Sequence, residues 1–254
     1  MTEDSSEFSK EEAGLYLQAI DRYDEALAVL GQRKKKNSAI FDTVSWELST
    51  THYTLASQLQ DFAPLSRKST PDVVRDIVYH YSKSLKYCET KTEDENRLPI
   101  LQYRSASIYA RLAALYHYCH RAATPETSGK PSQHHHFRQM AESNYERAAA
   151  LYSIVEDHGE FLRCLLEQIS LQEFQMEESH PNKRNFFNII SLFVQALPTL
   201  KALTAKVQVK VSSKNIYYTK IYIYYVHICK QQIMMPNKKL CNTVFKVCYF
   251  LKLQ

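Results

Sequence analysis

Apolar residues recur at helical spacing in seven stretches of the chain. In residues 13–30, Leu15, Ala19, Tyr23 and Leu27 are expected to form the buried stripe of a first helix. Gly31 follows at the position where a helix C-cap is expected. Six further helices are predicted at residues 42–60, 71–88, 98–121, 137–157, 160–177 and 185–203. The pattern therefore predicts an all-α protein.

The ends of these helices are predicted from capping and breaking residues. Asp42 or Thr43 is the expected N-cap of the second helix. The Pro-, Ser- and His-rich residues 124–136 are predicted to be a surface loop. Pro198 is expected to kink or end the seventh helix because it lacks a backbone N–H.

Two recurring patterns relate the helices to one another. Residues 46–53 and 109–116 share an aromatic residue, then a small or apolar pair, then Tyr. Residues 19–26, 77–84 and 141–148 place Tyr four positions after a small or apolar residue and a small residue three positions later. Small residues let two antiparallel helices approach closely. These patterns predict tetratricopeptide-like antiparallel helix pairs, a solenoid fragment, with a repeat longer than the usual length of about 34 residues.

The composition changes near residue 205. All 27 acidic residues lie before residue 179, whereas residues 205–254 contain nine Lys and six Tyr but no Asp, Glu or Arg. The net charge of +5 therefore comes from this tail, and residues 1–204 carry a charge near −4. The predicted domains are a tetratricopeptide-like helical repeat domain at 1–204 and a basic, Tyr- and Lys-rich tail at 205–254. Nucleic-acid binding by the folded part is not expected.

Two hypotheses account for the tail, which is expected to be poorly structured. Its Lys-, Asn-, Ile- and Tyr-rich composition is typical of translated AT-rich DNA, and this favours read-through from about Val207. The other hypothesis is a basic, aromatic arm that binds nucleic acid or a membrane. The alternation in residues 221–226 is strand-like, which is typical of an aggregation-prone segment.

The remaining composition restricts the compartment. Six Cys occur without a C-x-x-C pair, and the first twelve residues are polar and acidic, so reduced thiols and no signal peptide are predicted. No stretch of 18 apolar residues occurs, and no membrane partner is predicted. Only four Gly are present, which disfavours sheets and phosphate loops.

Several short stretches are more specific than the repeat. They are YDEAL at residues 23–27, WELSTT at 46–51, QDFAPLSRK at 60–68, SLKYC at 84–88, QYR at 102–104, RLA at 111–113 and EFQM at 173–176. Over residues 10–178 the chain resembles the C-terminal tetratricopeptide-like repeat region of the erythroid differentiation-related factor family. This resemblance implies a nuclear, transcription-linked protein with a helical-repeat fold and no enzymatic activity. The family's large N-terminal region has no counterpart in this sequence.

Histidines supply the candidate metal ligands. Residues 134–136 are three adjacent His, which cannot all face one ion in the fixed geometry that zinc requires, so a solvated tract is the preferred interpretation. His117 and His120 share a helical face beside Cys119, but no second ligand pair accompanies them. No metal and no other cofactor is predicted. Three thiols are expected to be buried, namely Cys88, Cys119 and Cys164.

The absence of catalytic motifs favours a binding module. The sequence has no nucleophile elbow, phosphate loop or paired-carboxylate motif, so no catalytic residue is predicted. Helical-repeat proteins bind peptides or helices in the groove lined by the first helix of each pair. The groove-facing positions expected from the spacing are Thr51, Thr54, Ala110, Ala114 and His117. Because these residues are small or neutral, the predicted ligand is an apolar peptide or helix rather than a C-terminal carboxylate.

The predicted function is a non-enzymatic scaffold for protein–protein interaction in a nuclear, transcription-linked factor, with the cytoplasm as a second location. One alternative is a nucleic-acid-binding protein that acts through its basic tail. The other is a truncated product without an independent function. The sequence does not predict the partner's identity or the oligomeric state.

Overall fold

The computed structural model describes residues 10–62, 70–89, 96–122, 131–178 and 183–206. Its helices are α1 Lys10–Leu30, α2 Ser38–Asp61, α3 Thr70–Cys88, α4 Leu98–Ala122, α5 Pro131–Ile154, α6 His158–Glu178 and α7 Lys183–Lys206. These described ranges contain no strand, and the predicted all-α fold is confirmed. They divide into two compact units, one that ends at Glu167 and one that begins at Gln168. The tail from residue 207 onward lies outside the described residues. Both hypotheses about the tail concern that part of the chain.

Consecutive helices of the first unit pack on one another. The most extensive packing joins α4 to α5 and α2 to α3, while α1 packs on α2 and α3 packs on α4. Helix α2 also contacts α4, the first helix of the next pair. This order, in which each helix contacts its neighbours along the chain, is typical of a helical-repeat array. The predicted tetratricopeptide-like pairing is confirmed.

Two apolar clusters hold the first unit together. One contains Ile20 of α1 with Leu48 and Leu55 of α2. The other joins helices α2, α3 and α4 through residues that include Ile77, Tyr81 and Ile108. Each fully buried Leu or Ile side chain contributes about 2 kcal/mol through the hydrophobic effect.

The repeat pattern marks buried positions in α5 and in the α2–α3 pair. Ala141, Tyr145 and Ala148 of α5 are all buried. In the α2–α3 pair, Ser49 Oγ donates to the Ser84 carbonyl at 3.1 Å, and Ser84 Oγ donates to the Ser49 carbonyl at 2.8 Å. A side chain larger than serine would push the two backbones apart, so the small residues explain the close approach of these helices.

The buried stripe of α1 differs from its prediction. Leu15 is 66% exposed, whereas Ile20 is buried and Tyr23 and Leu27 pack against the same cluster. Five residues turn an α-helix by about 500°, which places Leu15 about 140° away from Ile20 around the axis. The Leu15 prediction was therefore wrong, although Gly31 does end the helix with φ of 65° and an N–H bond to the Leu27 carbonyl.

Helix α2 begins at Ser38, four residues before the start of the predicted helix at position 42, and its N-cap is Asn37 rather than Asp42 or Thr43. The Asn37 side chain accepts a hydrogen bond from the Lys34 N–H at 2.6 Å and donates to the Leu30 carbonyl at 3.2 Å. It thereby fixes the turn between α1 and α2. Asp42 lies inside the helix and pairs with arginines.

Helix α5 begins at Pro131, so residues 131–136 are helical rather than part of the predicted loop. Proline is favoured in the first helical turn because its missing N–H would be unpaired there anyway. His134 contacts the ring of His120 on α4, with ring centroids 4.0 Å apart. This tertiary contact, which local composition does not show, stabilises the additional helical turns.

Pro198 lies within α7, which continues to Lys206, so the expectation that it ends the helix was wrong. The missing N–H of Pro198 leaves the carbonyl of Val194 without its usual partner. Both residues are exposed, and water can bind that carbonyl.

Candidate functional site

The predicted groove residues on α2 lie at partly accessible positions. Thr51 and Thr54 are half-buried. Their hydroxyl groups donate to backbone carbonyls of the same helix, at 2.8 Å from Thr51 to Glu47 and 2.9 Å from Thr54 to Thr50. Because their hydroxyl groups bond to the backbone, both side chains offer mainly a methyl group for contact with a ligand.

The predicted groove residues on α4 separate into two environments. Ala114 is exposed, whereas Ala110 and His117 are buried. His117 is directed toward α5, where its Nδ1 lies 3.4 Å from the Tyr145 hydroxyl. Of the five predicted positions, the structure thus places Ala114 at the surface, Thr51 and Thr54 at its edge, and the other two beneath it.

An arginine that the sequence did not single out joins α2 to α4. The Arg104 guanidinium of α4 lies 4.6 Å from the ring centroid of Trp46 and 4.6 Å from that of Tyr53, both on α2. It also donates to the Thr50 hydroxyl at 3.4 Å. A guanidinium between two aromatic faces gains about 1 kcal/mol or more from each when partly desolvated.

Further polar contacts join α2 to α4 toward the C-terminal end of α2. The Tyr53 and Ser107 hydroxyls are 2.8 Å apart, and Gln60 Nε2 donates to the Arg111 carbonyl at 3.0 Å. Arg111 forms an ion pair with Asp61. Polar contacts therefore join α2 to α4 along the length of the face that these helices form.

Exposed apolar side chains lie along α4. They include Ile100, Tyr103 and Tyr118, of which Tyr118 is 64% exposed. The spacings from Ile100 to Tyr103, Ala114 and Tyr118 are 3, 14 and 18 residues, which place all four within about 60° of one another on a helix. We name this set the α4 stripe. Sequence reasoning missed its tyrosines, although the helical spacing was a signal that could have found them.

The structure brings two of the candidate metal ligands, His120 and His134, into contact. His134 lies on α5 against His120, and both His117 and His120 are buried. Burial lowers the pKa of each to about 4, with Arg121 adding to the effect at His117 and His134 adding to it at His120. Within the described ranges, no group of three or more His, Cys, Asp or Glu could hold a metal ion.

The thiols of the described helices are buried. Cys88, Cys119 and Cys164 are free cysteines, and burial raises the pKa of each thiol. A protonated, buried thiol is a poor nucleophile. Among the described helices, none is both long and apolar enough to cross a membrane.

Comparison with known proteins places the chain in a family. Residues 1–226 match the family model described as erythroid differentiation-related factor 1-like, TPR repeats, a match that extends past residue 204 into the basic tail. No solved structure matches the chain.

Curated relatives agree with the family match. Erythroid differentiation-related factor 1 of Homo sapiens is 41% identical over 177 residues, which are 69% of this chain and 14% of that protein. The protein of the same name from Pongo abelii is also 41% identical, and that from Mus musculus is 40% identical, over the same shares. This chain thus spans only a small part of the length of these relatives. It belongs to the erythroid differentiation-related factor 1-like family of tetratricopeptide (TPR) repeats.

Proposed function

We propose that this helical-repeat protein is a non-enzymatic module that binds a protein partner in a nuclear, transcription-linked factor. TPR repeats generally mediate protein–protein interaction. The nuclear and transcriptional part of the proposal comes from the relationship to erythroid differentiation-related factor 1. The proposed partner element is an apolar peptide or an amphipathic helix.

The α4 stripe is the observation that carries this proposal. Large apolar side chains exposed on one side of a helix cost free energy in water, and a partner that covers them recovers it. Tyrosine and arginine are also the residues that most often dominate binding energy at interfaces. Here Tyr103 and Tyr118 flank the exposed Ala114, and Arg104 lies next to Tyr103 in a fixed position.

The experiment is affinity capture from nuclear extract with the wild-type chain and two variants. Ala114→Glu places a charge in the α4 stripe, about one helical turn from Tyr118. Val29→Glu places the same charge on a different helix, α1, where Val29 is 89% exposed. We expect a partner that the wild type and Val29→Glu recover and that Ala114→Glu loses, with unchanged thermal unfolding of both variants. If nothing recovered depends on Ala114, the proposed binding face is wrong.

The basic tail favours a second candidate, nucleic-acid binding. Its nine Lys and six Tyr have the chemistry of charge neutralisation and base stacking. Deletion of residues 205–254 separates the two functions. Salt-dependent binding of DNA or RNA that survives this deletion would contradict our assignment of the helical part to protein binding alone.

A further inference from the structure

A small pocket lies at the N-terminal half of α2, apart from the α4 stripe. Phe41 and Trp46 of α2 and Leu101 of α4 supply apolar surface, and the turn after α1 supplies Arg33. Its volume is about 160 Å³. Small-molecule and cofactor sites occupy roughly 300–1,000 Å³. The pocket therefore fits a single side chain of a protein ligand better than a cofactor.

The pocket has an excess of positive charge among its lining residues. Arg33, Lys86 and Arg97 line it together with one carboxylate, Asp42. Arg33 Nε and Nη2 lie 2.8 and 3.1 Å from the two Asp42 carboxylate oxygens, and Arg97 Nη1 lies 3.3 Å from one of them. Two guanidinium groups thus share one carboxylate, and an additional acceptor at this place would gain charge-assisted hydrogen bonds.

The surroundings of the pocket strengthen this positive field. Residues 34–36 are three exposed lysines that follow Arg33 directly in the chain. A second carboxylate, Asp24, hydrogen-bonds to the lining residue Tyr87 and offsets one of these charges. The remaining excess favours an anionic ligand. Half-buried arginines hold such ligands more strongly than fully exposed ones because solvent screens the interaction less.

One polar atom of the lining lacks a partner. The Ser45 hydroxyl is shielded from solvent and has no hydrogen-bond partner in the described part of the chain. A buried hydroxyl without a partner costs about 1–3 kcal/mol. A ligand that supplied an acceptor or donor here, after rotation of the Ser45 side chain, would remove this cost.

We propose that this pocket binds an acidic segment of a partner protein. A bulky apolar side chain of that segment packs against Phe41, Trp46 and Leu101. Adjacent Asp or Glu carboxylates of the segment pair with Arg33, Arg97 and Lys86. The proposal rests on the proposed function only in taking the ligand to be a protein. The site is separate from the α4 stripe, so Ala114→Glu should bind an acidic peptide as the wild type does. Failure of one proposal therefore leaves the other testable.

The test is fluorescence-anisotropy titration of the full chain with labelled peptides. The probe is EDLFED, with QNLFQN as the uncharged control and EDAAED as the control without bulky apolar residues. We expect saturable binding of EDLFED and binding at least about tenfold weaker for each control. QNLFQN loses the charge-assisted hydrogen bonds, one of which is worth about that factor, and EDAAED loses the burial of its Leu and Phe side chains.

Matched variants locate the binding site. Arg97→Gln removes one cation from the pocket, and Arg22→Gln removes one from the exposed surface of α1, where Arg22 pairs with Glu25. Ser45→Leu fills the pocket without a change of charge. We expect Arg97→Gln and Ser45→Leu to weaken EDLFED binding at least about tenfold, and Arg22→Gln to change it by less than about twofold. Circular dichroism and thermal unfolding confirm that each variant is folded.

Three acidic residues of the α3–α4 connection need a separate control. Glu93, Asp94 and Glu95 precede Arg97 in the chain and lie outside the described residues. With all three changed to amides, the proposal expects EDLFED to bind at least as tightly as to the wild type. Weaker binding to this variant would overturn the proposal.

Other results would also contradict the proposed ligand. Equal affinity for EDLFED and QNLFQN would show that charge is not recognised. Equal weakening by Arg97→Gln and Arg22→Gln would show that only net charge matters. Binding of a phosphoserine peptide or a single-stranded oligonucleotide that depends on Arg97, without binding of EDLFED, would assign the pocket to a different ligand.

Discussion

Mild acid should destabilise this protein because its helix pairs bury histidines in the neutral form. His52, His117 and His120 are 3%, 6% and 1% exposed. Burial is the main cause that lowers the pKa of each from 6.5 to about 4. In the unfolded chain, each imidazole takes up a proton near its ordinary pKa. The folded state must therefore release these protons over a pH range in which the unfolded state holds them.

The residues around His52 do not favour its charged form. Its Nδ1 lies 2.9 Å from Nδ1 of His80 on α3, which is also buried. His80 and Lys83 add to the effect of burial on the His52 pKa. Two protonated imidazoles at this distance would repel each other, so the pair can hold at most one shared proton between the two nitrogen atoms.

The other two histidines lie between α4 and α5. Beside His117, Arg121 lowers the pKa further, while the half-exposed Glu167 lies 3.9 Å from its Nδ1 and is the nearby acidic group. Beside His120, His134 and Arg138 lower the pKa in addition to burial. The net surroundings of both imidazoles disfavour a positive charge.

The pKa values of these histidines set the direction and the size of the effect of pH on the free energy of unfolding. A base with a lowered pKa contributes its full stability above pH 6.5 and loses it as the pH falls toward 4, because the unfolded state then binds more protons. At pH 5.5, a shift from 6.5 to about 4 costs about 1.4 kcal/mol for each histidine. The three together lower the free energy of unfolding by about 4 kcal/mol relative to pH 7.5. Domains are typically stable by only about 5–15 kcal/mol, so this loss is large.

The assay is urea unfolding, followed by circular dichroism at pH 7.5 and pH 5.5. The quantity compared between variants is the difference in the free energy of unfolding between the two pH values. His52→Asn should reduce this difference by about 1.4 kcal/mol, whereas His136→Asn, at an exposed position, should leave it unchanged. A wild-type difference below about 1 kcal/mol, or equal effects of the two variants, would refute the reasoning.

Three further predictions concern packing and thiol chemistry. Ala148→Leu should destabilise the protein by about 2 kcal/mol in urea unfolding because Ala148 is fully buried, whereas Ala150→Leu at an exposed position should be nearly neutral; equal effects would contradict the repeat packing. Ser84→Ala should cost about 1 kcal/mol, also by urea unfolding, because it removes the hydrogen bond from the Ser84 hydroxyl to the Ser49 carbonyl, while Ser49 Oγ keeps the carbonyl of residue 84 as its acceptor, and an unchanged unfolding midpoint would argue against that contact. Burial raises the pKa of the Cys164 thiol to about 12, so iodoacetamide at pH 8 should alkylate this residue only after unfolding, as peptide mass spectrometry can measure; rapid alkylation of the folded protein would show that the thiol is accessible.

The helix pairs could be predicted because their signal is local and repeated. The spacing of Ala141, Tyr145 and Ala148 identifies a buried helix face, and the structure buries all three. The same periodicity is ambiguous in α1, where both sides of the helix carry apolar residues. Leu15 and Ile20 lie on different sides, and only packing against Leu48 and Leu55 of α2 selects Ile20.

The predicted starts of α2 and α5 were wrong where tertiary contacts outweighed the local preferences of the sequence. Asp42 is a good N-cap residue, but pairing with Arg33 and Arg97 gives its carboxylate a different role inside α2. The segment before residue 137 has loop-like composition, yet His134 packs on His120 and the helix extends to include it. These partners lie 9, 55 and 14 positions away in the chain, beyond the reach of a helix-capping pattern.

The candidate site was predictable only in part. Ala114 was found because spacing alone predicts its side of α4. The position of Arg104 between Trp46 and Tyr53 depends on α2 lying beside α4, and these residues are more than 50 positions apart in the chain. The basic pocket likewise combines the turn after α1 with parts of α2, α3 and α4.

Site-specific photocrosslinking tests the central claim, that the exposed side of α4 binds a protein partner, most directly. A photoreactive amino acid is placed at position 114 or, as the control, at position 29 of the full chain, and adducts formed in nuclear extract are identified by mass spectrometry. We predict one dominant protein adduct from position 114 that position 29 does not give and that Tyr103→Ala and Tyr118→Ala together abolish. Adducts that form equally from both positions, or only from position 29, would contradict the claim.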